Sequence, residues 1–172
     1  MPPMPTAPVL RNFIGGRWID ARAAASVDVH NPAKGTVIAR TPLSGGSDVD
    51  LAVASAAAAF HDWSETPPVA RARVMFRFRQ QLEDHFEELA RIVTTEHGKT
   101  LDEARGSVRR GIECVEVACG APSMLMGAGL ENVAPGIDCQ VMRQPIGVCA
   151  MIAPFNFPAM VPLWFLPFAV VC

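Results

Sequence analysis

The chain has 172 residues, 15 lysines and arginines against 17 aspartates and glutamates, and a net charge of -2. That balance supplies no basic field for nucleic acid and no cationic block for an anionic membrane, so small-molecule chemistry is the expectation. Hydrophobic residues make up 50% and charged ones 19%, too apolar at the C-terminal end for a finished surface, and that end is expected to be covered by further chain.

Met1 to Pro8 carries neither a secretory apolar core nor the arginines of a transit helix and reads as a proline-rich tail. Asn12 to Ile14 and Arg17 to Ile19 flank Gly15-Gly16 as two hairpin strands, followed by the alternation of Val27 and Val29. Asn31-Pro32 with Gly35 marks a turn, and Thr36 to Thr41 the next strand. Ser47 with Asp50 gives an N-cap signature for a helix to about Trp63, with a buried stripe of Val49, Val53, Ala56 and Phe60.

Thr66-Pro67 opens a second helical region. Met75, Phe78, Leu82, Phe86, Leu89 and Val93 recur there at helical spacing, with a break near Asp84 to Phe86 and a stop at Gly98. Thr100-Leu-Asp-Glu103 is a capping box. The helix it starts presents Leu101, Ala104, Val108, Ile112, Val115 and Cys119 on one face, with Arg109 and Arg110 outside that stripe. Past Gly127 and Gly129 the chain turns extended, and Cys139 to Gln144 reads as a strand.

Val148 to Ala153 is a continuous apolar run between Gly147 and Pro154, as in a strand buried on both faces of a parallel sheet. Pro154 to Pro158 reads as a turn, with Pro158 in the first turn of a following helix. Ligands of open α/β sheets bind at such carboxyl ends of strands. On local sequence alone Asn156 serves equally as a cap for that helix or as a site amide.

Cys114, Cys119, Cys139, Cys149 and Cys172 have no zinc-type spacing and read as reduced, cytoplasmic thiols. Cys172, in apolar surroundings with no cation beside it, reads as a buried structural thiol. His30, His61, His85 and His97 stand singly, as surface or capping residues. Val148 to Cys172 has no charged residue and the length to span about 30 Å of membrane. Its recurrent prolines, each costing about 3 kcal/mol inside a helix, argue against an anchor.

Ile152-Ala-Pro-Phe-Asn-Phe-Pro158 resembles the aldehyde dehydrogenase superfamily loop whose asparagine helps form an oxyanion hole. Phe13-Ile-Gly-Gly-Arg-Trp18, Asn31-Pro-Ala-Lys-Gly35, Ala58-Ala-Phe-His-Asp-Trp63, Glu96-His-Gly-Lys-Thr-Leu101 and Arg143-Gln-Pro-Ile-Gly-Val148 follow in that superfamily's order. Within it, Arg109 to Glu116, Gly120 to Gly127 and Pro158 to Trp164 are most similar to the CoA-acylating methylmalonate-semialdehyde dehydrogenases, and many hydrolytic relatives carry Trp in place of Phe155.

The resemblance implies an α/β fold of the aldehyde dehydrogenase kind. It has a tail at 1–10, strands and helices of the cofactor domain at 11–130, an oligomerisation strand segment at 131–147, and the first strand-loop-helix of a Rossmann-like NAD-binding core at 148–172. It implies a catalytic Asn156, a substrate-carboxylate contact at Arg110, and NAD contacts at Ile152, Ala153, Pro154 and Phe155. No Gly-x-Gly-x-x-Gly fingerprint follows the strand, so the resemblance alone carries the NAD expectation. The implied reaction converts methylmalonate or malonate semialdehyde to propanoyl-CoA or acetyl-CoA with loss of carbon dioxide, with coenzyme A as co-substrate. The nucleophilic cysteine would lie beyond Cys172, leaving this chain alone inactive. A homo-oligomer, tetramer or dimer, is implied, with no nucleic-acid or membrane partner. Hydrolytic aldehyde oxidation, which needs a general-base glutamate, and a non-catalytic docking module are the alternatives.

Overall fold

The computed structural model describes residues 7–172; the first six residues of the expected tail lie outside them. Gly15 and Gly16 take φ of 59° and 74°, values open to glycine at no steric cost. They close β1 (Asn12–Ile14) antiparallel on β2 (Arg17–Ile19), with Phe13 opposite Trp18. A second antiparallel pair joins β3 (Ser26–Asn31) to β4 (Thr36–Pro42). Its turn is built by Asn31, whose Oδ1 accepts from the N–H groups of Ala33 (3.0 Å) and Lys34 (3.2 Å).

α1 (Gly46–Glu65) starts two residues before the helix expected from a Ser47 cap. Gly45 is the N-cap, because the buried Asp48 carboxylate reaches back to its N–H at 3.4 Å and also accepts from Arg22 N–H at 3.0 Å. The stripe expected to be buried on this helix is open: Val49 and Val53 are 57% and 49% exposed. Apolar spacing shows which face wants a partner, and no described element covers this one.

The helical layer follows the sequence closely. α2 (Pro68–Asp84) and α3 (Phe86–His97) break at His85, and Gly98, at φ 86°, closes α3 in the left-handed conformation. α4 (Leu101–Cys119) begins at the Thr100 capping box, where Glu103 N–H donates to Thr100 Oγ1 at 3.3 Å and Thr100 N–H to Glu103 Oε2 at 3.1 Å. A short α5 (Ala121–Met124) and then α6 (Pro162–Val171) complete it. Ala104, Val108, Ile112 and Val115 of α4 have no exposed surface and pack with Leu82, Ala90, Val93 and Leu163. A second cluster joins Ala72, Met75, Ala118, Cys119, Ala121 and Val171. At roughly 1.5–3 kcal/mol for each large side chain buried, these two clusters are the main source of stability in the layer.

Ion pairs lace its outer side. Arg109 is bidentate on Glu83, which also meets Arg79 at 3.1 Å, while Arg105 joins Glu87 at 2.8 Å to Asp102 at 2.9 Å. The Arg109 hydrogen bond holds the Glu83 carboxyl below the usual carboxylate range against the opposing pull of burial.

The expected strand at Cys139 to Gln144 is β6 (Ile137–Val141), which begins two residues earlier and ends three residues sooner, and it pairs antiparallel with β5 (Ala128–Ala134). Val148 to Ala153, expected as a buried parallel strand, runs without a ladder partner among the described residues, and Ile152 is 96% exposed. A strand exists only by its neighbours' hydrogen bonds, and no described strand lies alongside. The helix expected from Pro158 begins at Pro162. Residues 158–161 are turns, and Pro162, which has no N–H to give, stands where its missing donor breaks no bond, at the first position of the helix.

Candidate functional site

Gly111 decides how α4 and α6 meet. A Cβ there would lie 2.7 Å from Leu163 Cδ1, too close without a shift of that side chain, and in ordinary contact with the Met160 Cα at 3.4 Å. The bare backbone of Gly111 thus lets the start of α6 and the turn before it sit against α4, and Arg110 immediately precedes it. Arg110 therefore borders a cleft of about 540 Å³ together with Glu113, Cys114, Phe157, Met160 and Trp164. Sequence-distant groups, the guanidinium of Arg110 and the turn that carries Asn156, are brought to one surface.

Asn156 lies in the turn that precedes Phe157 and is exposed. Its alternative role as a helix cap is excluded: the residue at the cap of α6 is Val161, and no side chain makes a cap bond there. The Asn156 amide is thus left for another acceptor. Phe157 is half-buried, and the Lys99 ammonium lies over its ring at 3.7 Å from the centroid. Arg109, beside Arg110, is committed to Glu83, whereas Arg110 enters no ion pair among the described residues.

Ile152, Ala153, Pro154 and Phe155 lead into that turn without regular structure, and Phe155 is 87% exposed. Open backbone groups flanked by bare apolar side chains fit the flat, apolar half of a nicotinamide site. Among the described residues no group of three His, Cys, Asp or Glu could hold a metal ion, and no helix is long and apolar enough to cross a membrane.

Burial pushes the Cys114 and Cys119 thiols up, the wrong direction for a nucleophile. Cys139 and Cys149 are exposed, and so is Cys172, which was expected to be buried. Cys172 follows the last turn of α6 and its side chain leaves the core, while its carbonyl accepts from Arg71 Nη2 at 3.4 Å.

Arg71 is a site-building residue that spacing did not single out. It is 3% exposed and donates to the carbonyls of Val171 (2.9 Å) and Thr66 (2.7 Å), and Trp63 Nε1 adds a bond to Val170 O at 2.7 Å. Together they tie residues 170–172 to α2 and to the end of α1. The signal was available: Arg71 sits four residues before Met75, on the apolar stripe itself. Gly111, within the stripe of α4, carried a similar signal of close approach.

Residues 18–172 match the aldehyde dehydrogenase family, and the chain belongs to that family. It is 52% identical over 163 residues to malonate-semialdehyde dehydrogenase 1 of Geobacillus thermodenitrificans, covering 95% of this chain and 34% of that protein. The malonate-semialdehyde dehydrogenase of Bacillus pumilus is 50% identical over 164 residues, again with 34% of its length covered. Among solved structures, the methylmalonate-semialdehyde dehydrogenase of Oceanimonas doudoroffii superposes with a TM-score of 0.92 at 46% identity, over 95% of this chain and 33% of that one. A Sinorhizobium meliloti protein assigned to the same activity and solved with NAD gives 0.94 at 39% identity, over 98% and 34% of the two chains. The chain thus spans about a third of the length of these relatives, and its fold is the N-terminal portion of the aldehyde dehydrogenase fold.

Proposed function

We propose that this chain is the N-terminal part of an NAD-dependent, CoA-acylating dehydrogenase of malonate or methylmalonate semialdehyde. The observation that carries the reading is Arg110, a cation without a carboxylate partner among the described residues, on the cleft that the Asn156 turn borders. An aldehyde that also bears a carboxylate satisfies both groups. The planar guanidinium takes the carboxylate in a two-point hydrogen bond that a lysine could not reproduce. The Asn156 amide donates to the aldehyde oxygen as it gains charge, a contribution of about 3–4 kcal/mol for a donor aimed at the developing oxyanion. Residues 152–155 offer backbone groups and apolar side chains to NAD, which when bound supplies a hydride acceptor.

The thiolate nucleophile comes in this reading from outside residues 1–172, and the chain alone is inactive. Transfer of the acyl group to coenzyme A, with loss of carbon dioxide, rests on the similarity to the acylating branch. The relatives named for these semialdehydes support the substrate class. The β5–β6 hairpin, with Leu130, Val133, Ile137 and Val141 each more than half exposed, supports a homo-oligomer of full-length chains. The five free cysteines fit a reducing cytoplasm.

The test is made in the full-length enzyme. Asn156→Ala lowers the acylation rate about a hundredfold or more with NAD affinity little changed. Arg110→Ala raises KM for methylmalonate semialdehyde far more than for propanal. A wild-type acylation rate in the first variant removes the oxyanion role, and equal KM effects on both aldehydes in the second remove the carboxylate role.

A further inference from the structure

We propose that Lys99 is a positioning residue for the Asn156 turn, acting through Phe157; the proposal rests on the oxyanion reading of Asn156. Before Phe157 the turn has little to fix it, and after it the Phe157 carbonyl accepts from Val161 N–H at 3.1 Å. Pro154, Phe155 and Asn156 are exposed, no strand or helix includes them, and Phe157 is the first half-buried side chain after Asn156. Whatever holds the Phe157 ring therefore sets the orientation of the residue before it.

Lys99 is well placed to do this because its own backbone has little slack. α3 ends at Gly98 in the left-handed conformation, and a Cβ on Gly98 would lie 2.8 Å from Pro32 Cγ, so the helix end is seated against the β3–β4 turn. Thr100 follows at once as the N-cap of α4, its hydroxyl and N–H both tied to Glu103. Lys99 thus projects from a single residue locked between two helix caps. Lys99 is half-buried, and its ammonium stands 3.7 Å from the Phe157 centroid, the geometry in which a cation meets the negative face of the ring. The contact joins the α3–α4 corner to the turn after the apolar run.

The prediction is an indirect kinetic effect. In the full-length enzyme, Lys99→Met, which keeps an unbranched apolar stem and loses the charge, lowers kcat about fivefold with KM for the semialdehyde within about twofold, as expected for a half-exposed cation–π contact. Lys99→Arg, which restores a cation over the ring, stays within about twofold of the parent. Phe157→Leu, which keeps the apolar contact and removes the aromatic face, reproduces the loss seen in Lys99→Met. In an Asn156→Ala background Lys99→Met causes no further loss, because Lys99 acts only through that amide.

A rise in KM without a fall in kcat assigns Lys99 to substrate instead and overturns the proposal. So does an undiminished loss in the Asn156→Ala background, or an arginine variant as slow as the methionine one, or a Phe157→Leu enzyme with parental kcat. The underlying reading fails separately: Asn156→Ala at parental rate removes the oxyanion role, whereas a slow Asn156→Ala beside a parental Lys99→Met removes only the role of Lys99.

Discussion

Two glycines on α4 should respond to the same substitution with opposite signs. Alanine in a helix interior is favoured over glycine by about 0.5–1 kcal/mol, because the unfolded chain has less freedom to lose. At Gly106, where a Cβ would meet nothing within 4 Å, that gain stands alone. At Gly111 the new methyl would come within 2.7 Å of Leu163 Cδ1 and 3.4 Å of backbone at Met160. Leu163 is only 8% exposed and packs in the main cluster, so its methyl cannot swing aside without disturbing Ile112 and its neighbours. Overpacking of this kind costs about 1–3 kcal/mol, which after the helix gain leaves a net loss centred on about 1 kcal/mol and reaching about 2.5. For a chain of this size each kcal/mol moves Tm by about 2–4 °C. Thermal unfolding followed by circular dichroism at 222 nm should therefore place Gly106→Ala a few degrees above the parent and Gly111→Ala a few degrees below. If Gly111→Ala melts at or above the parent, the close approach of α4 and α6, and with it the seat of Arg110, is wrong.

Other consequences are as direct. Arg71→Met, which leaves the Val171 and Thr66 carbonyls without their donors, should cost about 3 kcal/mol in urea unfolding, with Arg71→Lys between it and the parent; an unshifted midpoint for the methionine variant refutes the anchoring role. Glu83 makes a pH prediction. Because its hydrogen bond from Arg109 lowers its folded pKa, the stability it contributes is complete above the unfolded glutamate value of about 4.3 and is lost as pH falls through the folded one. A Glu83→Gln variant should lose less stability than the parent between neutral pH and that acid range, as read from urea midpoints at each pH, and parallel pH profiles would contradict the assignment.

Local rules made the helical layer legible. The Thr100 capping box, the Gly98 stop, the break at His85 and the stripe from Ala104 to Cys119 are each decided within a few residues, and the structure has all of them. What depends on a partner was not legible. Val49 and Val53 share a helix face without a described neighbour to bury them, and Val148 to Ala153 has strand composition without a described strand to pair with. The cap of α1 was misplaced because two acids lie in the same turn, and only the fold shows that Asp48 can also serve the Arg22 N–H. Of the candidate site, the identities of Asn156, Arg110 and residues 152–155 came from the family resemblance. That Arg110 borders the turn carrying Asn156 came from Gly111, whose missing side chain is legible in a sequence only as an irregularity in a helix.

The bonds that hold the end of α6 also order events in time. Arg71 reaches Val171 across a sequence separation of 100 residues, and Trp63 reaches Val170 across 107, whereas α2, α3 and α4 meet through short connections. Contacts between sequence neighbours close quickly, and distant ones wait on the entropy of the long loop between them. The three helices therefore form a folded platform first, and α6 arrives on it late, drawn to a buried guanidinium already in place. The turn bearing Asn156 runs straight into α6, so among the described residues it takes its place only after that platform has formed.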